Sequence, residues 1–376
     1  MLALEAALAA VVDAGITVSD IDGIVRYQDG IVRYQKDTTE EAHLAAAMNL
    51  PDLRYFGQVG YGGSGSCGVI AHAVAAVGAG QATHVLCYRS LNGRSGTRFG
   101  QGSHYIDTVD SACGIARSDV TVGSPLTGPY GLLTPGHQMA MWTRRYAHAH
   151  GLSDDEIAHM LGAVAVSQRE LAQRNPNALM RGKTLTLDQY LESPPLADPL
   201  RLYDFCLETD GAVAALVTTA TRAKDLRRPP VEVAATQQHM SSYSEPLHLY
   251  KDDLASFLPS SVATRLFEEA AVTPNDIDVA EIYDASTVMV PFVLEDFEFC
   301  ERGGAAAFLG AGEHTLEGTL PINTHGGLLS EGYINGFNTV TEAVRQLRGS
   351  AANQVQGARH AFVTAAGASS LILRRA

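Results

Sequence analysis

Apolar residues recur at helical spacing over Leu2–Ala14, and Gly15 ends the run, which predicts an opening amphipathic helix. The segment Ser19-Asp20-Ile21-Asp22-Gly23 then turns into a short strand. The heptapeptide at 22–28 is repeated at once at 29–35, a unit too short for a solenoid, so it reads as a local insertion. A glycine-rich stretch at 57–68 leads into a helix over 69–77, a Gly78-Ala79-Gly80 stop and a β-rich run at 84–88. Strand, loop, helix and strand in that order form the unit of a parallel α/β layer.

The pattern changes at 116–196, where turn-rich sequence gives way to helices over 139–150 and Asp154–Arg174. This segment reads as an insertion lying over the sheet. Small residues and a strand return between 198 and 220, and Arg227-Arg228-Pro229-Pro230 is the linker candidate. A second α/β half follows, with strands over 231–236 and 277–283, helices over 261–271 and 286–294, a strand–glycine loop–helix at 320–346 and a strand pair flanking Gly367. The expected division is therefore 1–115 with 197–228 as one half, 116–196 as the insertion and 229–376 as the other half. The halves have similar content, but their sequences are too different to establish a repeat.

Charge and cysteine usage narrow the function. A net charge of −14 argues against nucleic acid or an anionic membrane surface as the main partner. The 5 cysteines are an odd number without a C-x-x-C pair, which fits reduced thiols in a cytoplasmic protein. No apolar run is long enough to span a membrane. Glu5 and Asp13 interrupt the opening stretch, and no basic segment precedes it, so it does not read as a signal peptide.

Several candidate motifs fail on their chemistry. Gly60-Tyr61-Gly62-Gly63-Ser64-Gly65 has dinucleotide-loop spacing, but no acidic residue follows where a ribose would need one. A backbone-dense turn explains the glycines better. Cys67 lies at a helix start, where a thiol can be activated, yet its apolar neighbours make it a buried structural thiol. His148 and His150 do not share a helix face, so no metal site is expected. No G-x-S-x-G elbow is present.

Two tyrosine contexts remain. Glu281-Ile282-Tyr283-Asp284-Ala285 sits at the carboxyl end of an expected strand, and Asn323-Thr324-His325-Gly326-Gly327 leads through Gly332 to Tyr333. Ligand groups cluster at the carboxyl ends of strands in open α/β sheets.

Here the sequence resembles the thiolase superfamily, in its sterol-carrier/lipid-transfer branch, along nearly the whole chain. Gly80-Gln81-Ala82-Thr83-His84-Val85-Leu86 looks like the family segment after the nucleophile, and Thr209-Asp210-Gly211-Ala212 like the one leading out of the lid. Asn323…Gly326-Gly327…Gly332-Tyr333 resembles the family's Asn-x-x-Gly-Gly…Gly-His motif. The resemblance implies an α/β thiolase fold of two similar βαβαβαββ halves in five layers, with a lid insertion. It also aligns the nucleophilic cysteine with Gly63, the two histidines with Tyr283 and Tyr333, and the second cysteine with Ala365. The chain starts at what would be the family's first helix, so the family's first strand is expected before it.

All four reactive positions have changed together, which puts thiolysis in doubt. A β-hydroxyacyl-CoA already carries the oxygen that becomes the new carbonyl, so retro-aldol cleavage needs only a base, an acid and donors for the thioester enolate. The double-tyrosine pattern resembles the steroid side-chain aldolases of actinobacteria, which cleave a 17-hydroxy steroid C22-CoA to a 17-ketosteroid and propionyl-CoA. That resemblance implies Tyr333 as base and Tyr283 as acid, or the reverse. Asn323, His325 and backbone N–H groups near Gly327 and Gly367 would hold the thioester oxygen, with Gly63 lining the site. It further implies a steroid acyl-CoA substrate, no cofactor beyond the substrate's own CoA, and a homodimer with an OB-fold partner of the domain-of-unknown-function-35 type. Arg174, Arg181 and Lys183 are candidate diphosphate contacts, weighed against solvated surface charges. The alternatives are a non-catalytic acyl-CoA or sterol binder and a thiolase that uses Cys67.

Overall fold

The computed structural model describes residues 1–27, 39–50, 52–60, 65–95, 128–239, 253, 255–365 and 367–376. Gly63, Cys113, the second heptapeptide copy and the start of the insertion lie outside the described residues.

The first half opens with helix α1 (Leu2–Ala14), which Gly15 stops at φ 76, followed by strand β1 (Gly23–Tyr27). Helix α2 (Glu41–Met48), strand β2 (Tyr55–Val59), helix α3 (Ser66–Gly78) and strand β3 (His84–Asn92) come next. The insertion holds helices α4 (Pro135–His150), α5 (Asp154–Arg174) and α6 (Leu187–Glu192) and a small hairpin, β4 (Pro195–Ala197) with β5 (Leu200–Arg201). Strand β6 (Asp210–Thr218) returns to the first sheet, and the short helix α7 (Ala220–Ala223) leads out of it.

The second half contains β7 (Val231–Gln238), α8 (Ser260–Ala270), β8 (Val279–Ile282), α9 (Met289–Asp296) and α10 (Ala305–Gly310). After these come α11 (Gly327–Ser330), α12 (Phe337–Arg348), β9 (His360–Ala365) and β10 (Ser369–Arg375).

One sheet has the order β2-β1-β3-β6 and the other β7-β10-β9-β8. In the first, β1 and β3 are parallel and β6 runs antiparallel beside β3. In the second, β8 and β9 are parallel and β10 is antiparallel beside β9. These three-strand cores match, while the fourth strand differs: β2 lies parallel beside β1, and β7 antiparallel beside β10. Helices α3 and α12 pack against both sheets and against each other, while α1 and α2 cover one outer face and α8 the other. This gives the five-layer order helix–sheet–helix–sheet–helix. The middle core joins Ile70 and Ala73 of α3 and Val340 and Leu347 of α12 to both sheets.

The structure also shows in detail the two similar halves that were expected. Thr17 and Asp20 form a capped turn before β1, with the carboxylate accepting from the Thr17 amide and hydroxyl at 2.7 Å each. Thr273 and Asp276 do the same before β8, at 2.8 and 2.7 Å. Two residues on, Asp22 accepts from the Thr83 and His84 amides at 2.7 and 2.9 Å. Asp278 accepts from the Arg359 and His360 amides at the same distances, 2.7 and 2.9 Å. Thr-x-x-Asp-Ile-Asp stands at both places. Each second aspartate clamps the starts of two parallel strands together, which sets how far their carboxyl ends reach.

Other differences have local causes. The strand expected near residue 320 is reduced to a single bridge between Ala280 and Ile322, because Asn323 adopts φ 51 and turns the chain away. The run expected to end at residue 88 continues as strand to Asn92. The Arg-Arg-Pro-Pro linker candidate is tied down: Arg227 donates its amide to the Ala14 carbonyl, Arg228 pairs with Asp13, and Arg348 donates to the Pro229 carbonyl.

Replacing either Asp22 or Asp278 with alanine strands two or more amide donors. Each variant is expected to lose about 1–3 kcal/mol in denaturant unfolding. Unchanged unfolding midpoints would refute the clamp.

Candidate active site

Strand β8 ends at Ile282, so Tyr283 is the first residue beyond its carboxyl end. Its amide still donates to the Thr364 carbonyl of β9 at 3.0 Å, which holds the residue in line with the sheet. Asn323 accepts the Ile282 amide through Oδ1 at 2.6 Å and fixes the strand end from the other side. Tyr333 comes from the glycine-rich return, where its amide donates to Thr209 Oγ1 at 2.9 Å.

A tight turn follows at 334–337, closed by the Phe337 amide on the Ile334 carbonyl at 3.1 Å. Its central residues, Asn335 and Gly336, have φ 49 and 73, the left-handed pair that Asn-Gly suits. Gly336 serves a second purpose, since a Cβ there would lie 2.4 Å from Cδ2 of the Tyr283 ring.

The turn brings the tyrosines together. Their hydroxyl oxygens lie 2.9 Å apart, and the rings meet edge-on at a centroid distance of 6.2 Å. Tyr283 is 4% exposed and Tyr333 7%. Burial, reinforced by Tyr333, Tyr27 and Cys206 nearby, pushes the Tyr283 phenol well above its usual value of 10. Tyr333 Oη also accepts from Asn335 Nδ2 at 3.0 Å. Asn335 Oδ1 in turn accepts from Arg89 Nε and Nη2 at 3.0 and 2.8 Å. Arg89 is fully buried, donates to the Tyr27 carbonyl at 3.1 Å and lies over the Tyr27 ring at 5.3 Å. The Tyr27 hydroxyl accepts the Gly65 amide at 3.3 Å.

Arg89, Asn335 and Tyr27 were not among the residues expected from the sequence. Two signals were available: one arginine inside an apolar strand, and an Asn-Gly pair two residues after Tyr333.

The other expected site residues divide. Asn323 is buried and its Nδ2 has no hydrogen-bond partner among the described residues. His325 is fully buried between carboxylates, with Nδ1 2.9 Å from Glu281 Oε2 and Nε2 3.7 Å from Glu331 Oε2. Burial alone would lower the imidazole, but Glu331 and Glu281 outweigh it and hold His325 up at about 10. Burial likewise raises Glu281, against the opposing pull of His325. The ring therefore braces the loop from inside the protein.

Gly327 sits where a Cβ would fall 1.9 Å from Gln168 Oε1 and 2.4 Å from Asp284 Oδ2, so its place is a crowded contact with α5. Gly367, at φ 80, makes the turn between β9 and β10. Ala365, aligned with the family's second cysteine, closes β9 and is fully buried. Cys67 is also fully buried, and burial pushes its thiol to about 12, so it is unsuited to be a nucleophile. Arg174, Arg181 and Lys183 are all exposed, and Arg174 faces Glu170 at 3.8 Å. Among the described residues no group of three His, Cys, Asp or Glu could hold a metal ion. No described helix is long and apolar enough to cross a membrane.

Known proteins share the scaffold. A family model described as thiolase C-terminal domain-like matches residues 241–371. The 17-hydroxy-3-oxo-4-pregnene-20-carboxyl-CoA lyase of Mycobacterium tuberculosis is 39% identical over 97% of this chain and 90% of its own. The steroid side-chain-cleaving aldolase of Thermomonospora curvata is 37% identical over 97% of this chain and 89% of its own. The solved structure of an Ltp2-ChsH2(DUF35) aldolase has a TM-score of 0.86 at 35% identity, covering 100% of this chain and 92% of that one. Human mitochondrial 3-ketoacyl-CoA thiolase, at 15% identity and a TM-score of 0.66, shares the fold. The fold defines a thiolase-type protein. The chain belongs to the thiolase superfamily, in its family of steroid side-chain-cleaving aldolases.

The buried ionisable groups set a pH dependence. Burial also raises Asp284 to about 7 and Asp204 to about 6. These carboxyls and His325 all bind protons more tightly folded than unfolded, so their contribution to stability is greatest on the acid side and falls as pH rises. The His325 contribution is complete below the unfolded value of 6.5 and lost as pH climbs through about 10. Thermal unfolding midpoints should decline across that window, and in Glu281→Gln the decline should be smaller and end at lower pH. Superimposable profiles for the two proteins would contradict this assignment.

Proposed function

We propose that the protein cleaves the carbon–carbon bond of a β-hydroxyacyl-CoA by a retro-aldol reaction, with a 17-hydroxy steroid C22-CoA as substrate. The products are a 17-ketosteroid and propionyl-CoA. The observation that carries this reading is the pair of buried phenols 2.9 Å apart, at positions that hold histidines in a thiolase, with no usable thiol beside them among the described residues.

Tyr333, as the phenolate, takes the proton of the substrate hydroxyl, and passes it to Tyr283 across the 2.9 Å contact once Tyr283 has given up its own. The C–O bond becomes a carbonyl as the bond to Cα breaks, and the electron pair moves into the thioester enolate. Tyr283 delivers a proton to Cα, completing propionyl-CoA. Its raised phenol fits a group that stays protonated until the carbanion forms. Asn323 Nδ2 keeps a donor uncommitted for the thioester oxygen. CoA enters as part of the substrate, so no further cofactor is needed. The protein works as a homodimer in the cytoplasm with an OB-fold partner of the domain-of-unknown-function-35 type. The DUF35 component of the similar Ltp2-ChsH2 aldolase supports the choice of partner.

The test is incubation with a 17-hydroxy steroid C22-CoA, with and without the OB-fold partner, followed by mass spectrometry for both products. Tyr283→Phe and Tyr333→Phe should each lower turnover by about 10²–10⁴-fold. A near-wild-type rate in either variant removes the role given to that residue. Tight binding without cleavage under both conditions would favour the non-catalytic binder.

A placement test follows from Gly336. Gly336→Ala pushes its Cβ into the Tyr283 ring and is expected to lower turnover on the order of a hundredfold, because small displacements of reacting groups cost that much. Full activity in this variant would show that the ring position is not critical.

A further inference from the structure

The polar chain behind Tyr333 has a direction that the atoms themselves enforce. A guanidinium can only donate, so the Asn335 atom facing Arg89 must be its carbonyl oxygen. The amide therefore cannot be flipped, and Asn335 Nδ2 must point a proton at the Tyr333 oxygen, 3.0 Å away. Tyr333 Oη thus accepts one hydrogen bond from a fixed donor, and that donor is polarised by two N–H bonds from a cation. When Tyr333 ionises, the Tyr283 hydroxyl can supply a second donor from 2.9 Å.

We propose that Arg89 and Asn335 are positioning residues that make Tyr333 the proton acceptor of the pair. This rests on the retro-aldol reading and deepens it. A cation on β3 of one half stabilises the developing phenolate on a loop of the other, through a single amide. Arg89 never meets substrate in this arrangement: it acts through Asn335, which holds the phenol oxygen in place and favours its charged form.

Tyr27 and Cys206 are ionisable groups beside Tyr283, and burial pushes the Cys206 thiol up. Glu331, two residues before Tyr333, is turned toward His325 and Asn338.

Asn335→Asp tests the proposal directly. Aspartate keeps an oxygen for Arg89 but replaces the donor to Tyr333 with a second carboxylate oxygen. The acidic limb of the kcat/KM profile should then move to higher pH by about one unit or more. KM for the acyl-CoA should stay within a few-fold. Ultraviolet difference titration should show one tyrosinate moving in the same direction, and that signal should be missing in Tyr333→Phe. Arg89→Lys keeps the charge but loses the forked donor, so it should give a smaller shift of the same sign. A uniform loss of rate with an unmoved profile in both variants overturns the proposal.

If neither variant folds, titration of otherwise intact protein decides. The earlier-titrating member of the pair must disappear in Tyr333→Phe, and its disappearance in Tyr283→Phe instead overturns the assignment. These titrations need no turnover, so they are independent of whether the steroid acyl-CoA is cleaved.

Discussion

Two phenol oxygens held 2.9 Å apart in a nearly dry seam constrain everything around them. Neither ring is free to leave, because burial is accompanied by specific packing rather than by loose apolar cover. Tyr283 is fixed by its strand, by β9 beside it and by the bare Cα of Gly336 beneath its ring. Tyr333 is fixed by Thr209 from the first half and by the turn that follows it. Such a pair costs desolvation, which the surrounding polar groups must offset. The buried arginine and asparagine behind Tyr333 supply that offset on one side only. Their one-sidedness makes two chemically identical residues inequivalent.

The same asymmetry appears against the background of the duplicated fold. The clamps at Asp22 and Asp278 start corresponding strands at the same level, so Tyr27 and Tyr283, each five residues further on, finish at corresponding ends. Likewise Arg89 and Ala365 stand five residues beyond His84 and His360. Symmetry thus delivers matching side chains to one place, and substitution has divided the labour between them. The first half contributes a cation and a packing tyrosine. The second contributes the buried phenol of Tyr283 and, at Ala365, a residue with no reactive group.

Much of this could be read from the chain. Helix α1 and α5 fall at the limits their capping residues and apolar spacing indicate, and the tyrosine pair emerged once the glycine motif was aligned. What escaped had physical reasons. Arg89 continues a strand whose apolar run seemed to stop at Tyr88, since charge normally marks a strand's exit and here marks a buried network. His325 looked like a ligand because of its motif, but its partners Glu281 and Glu331 come from a strand and a loop, a meeting that only the fold creates. The two similar halves were expected, but their shared clamp went unnoticed because it needs just three polar residues, while the core positions around it drift freely within hydrophobic types.

The chemistry follows from the reactive groups the scaffold has lost. A thiol nucleophile is useful only when the bond to be cleaved lies next to a ketone that must be attacked. Once the substrate carries a hydroxyl at that carbon, an added nucleophile has no role, and a thiol at the position of Ala365 or Gly63 would only invite side reactions. The remaining demand is to move a proton off an alcohol and onto a carbanion within one closed space. A phenol matches both tasks better than an imidazole, because its ordinary proton affinity lies closer to that of an alkoxide. On the proposed reading, burial keeps Tyr283 protonated as an acid must be, while Asn335, held by Arg89, aims a fixed donor at the Tyr333 oxygen. Opposed environments on two identical side chains separate their proton affinities, as acid–base catalysis requires.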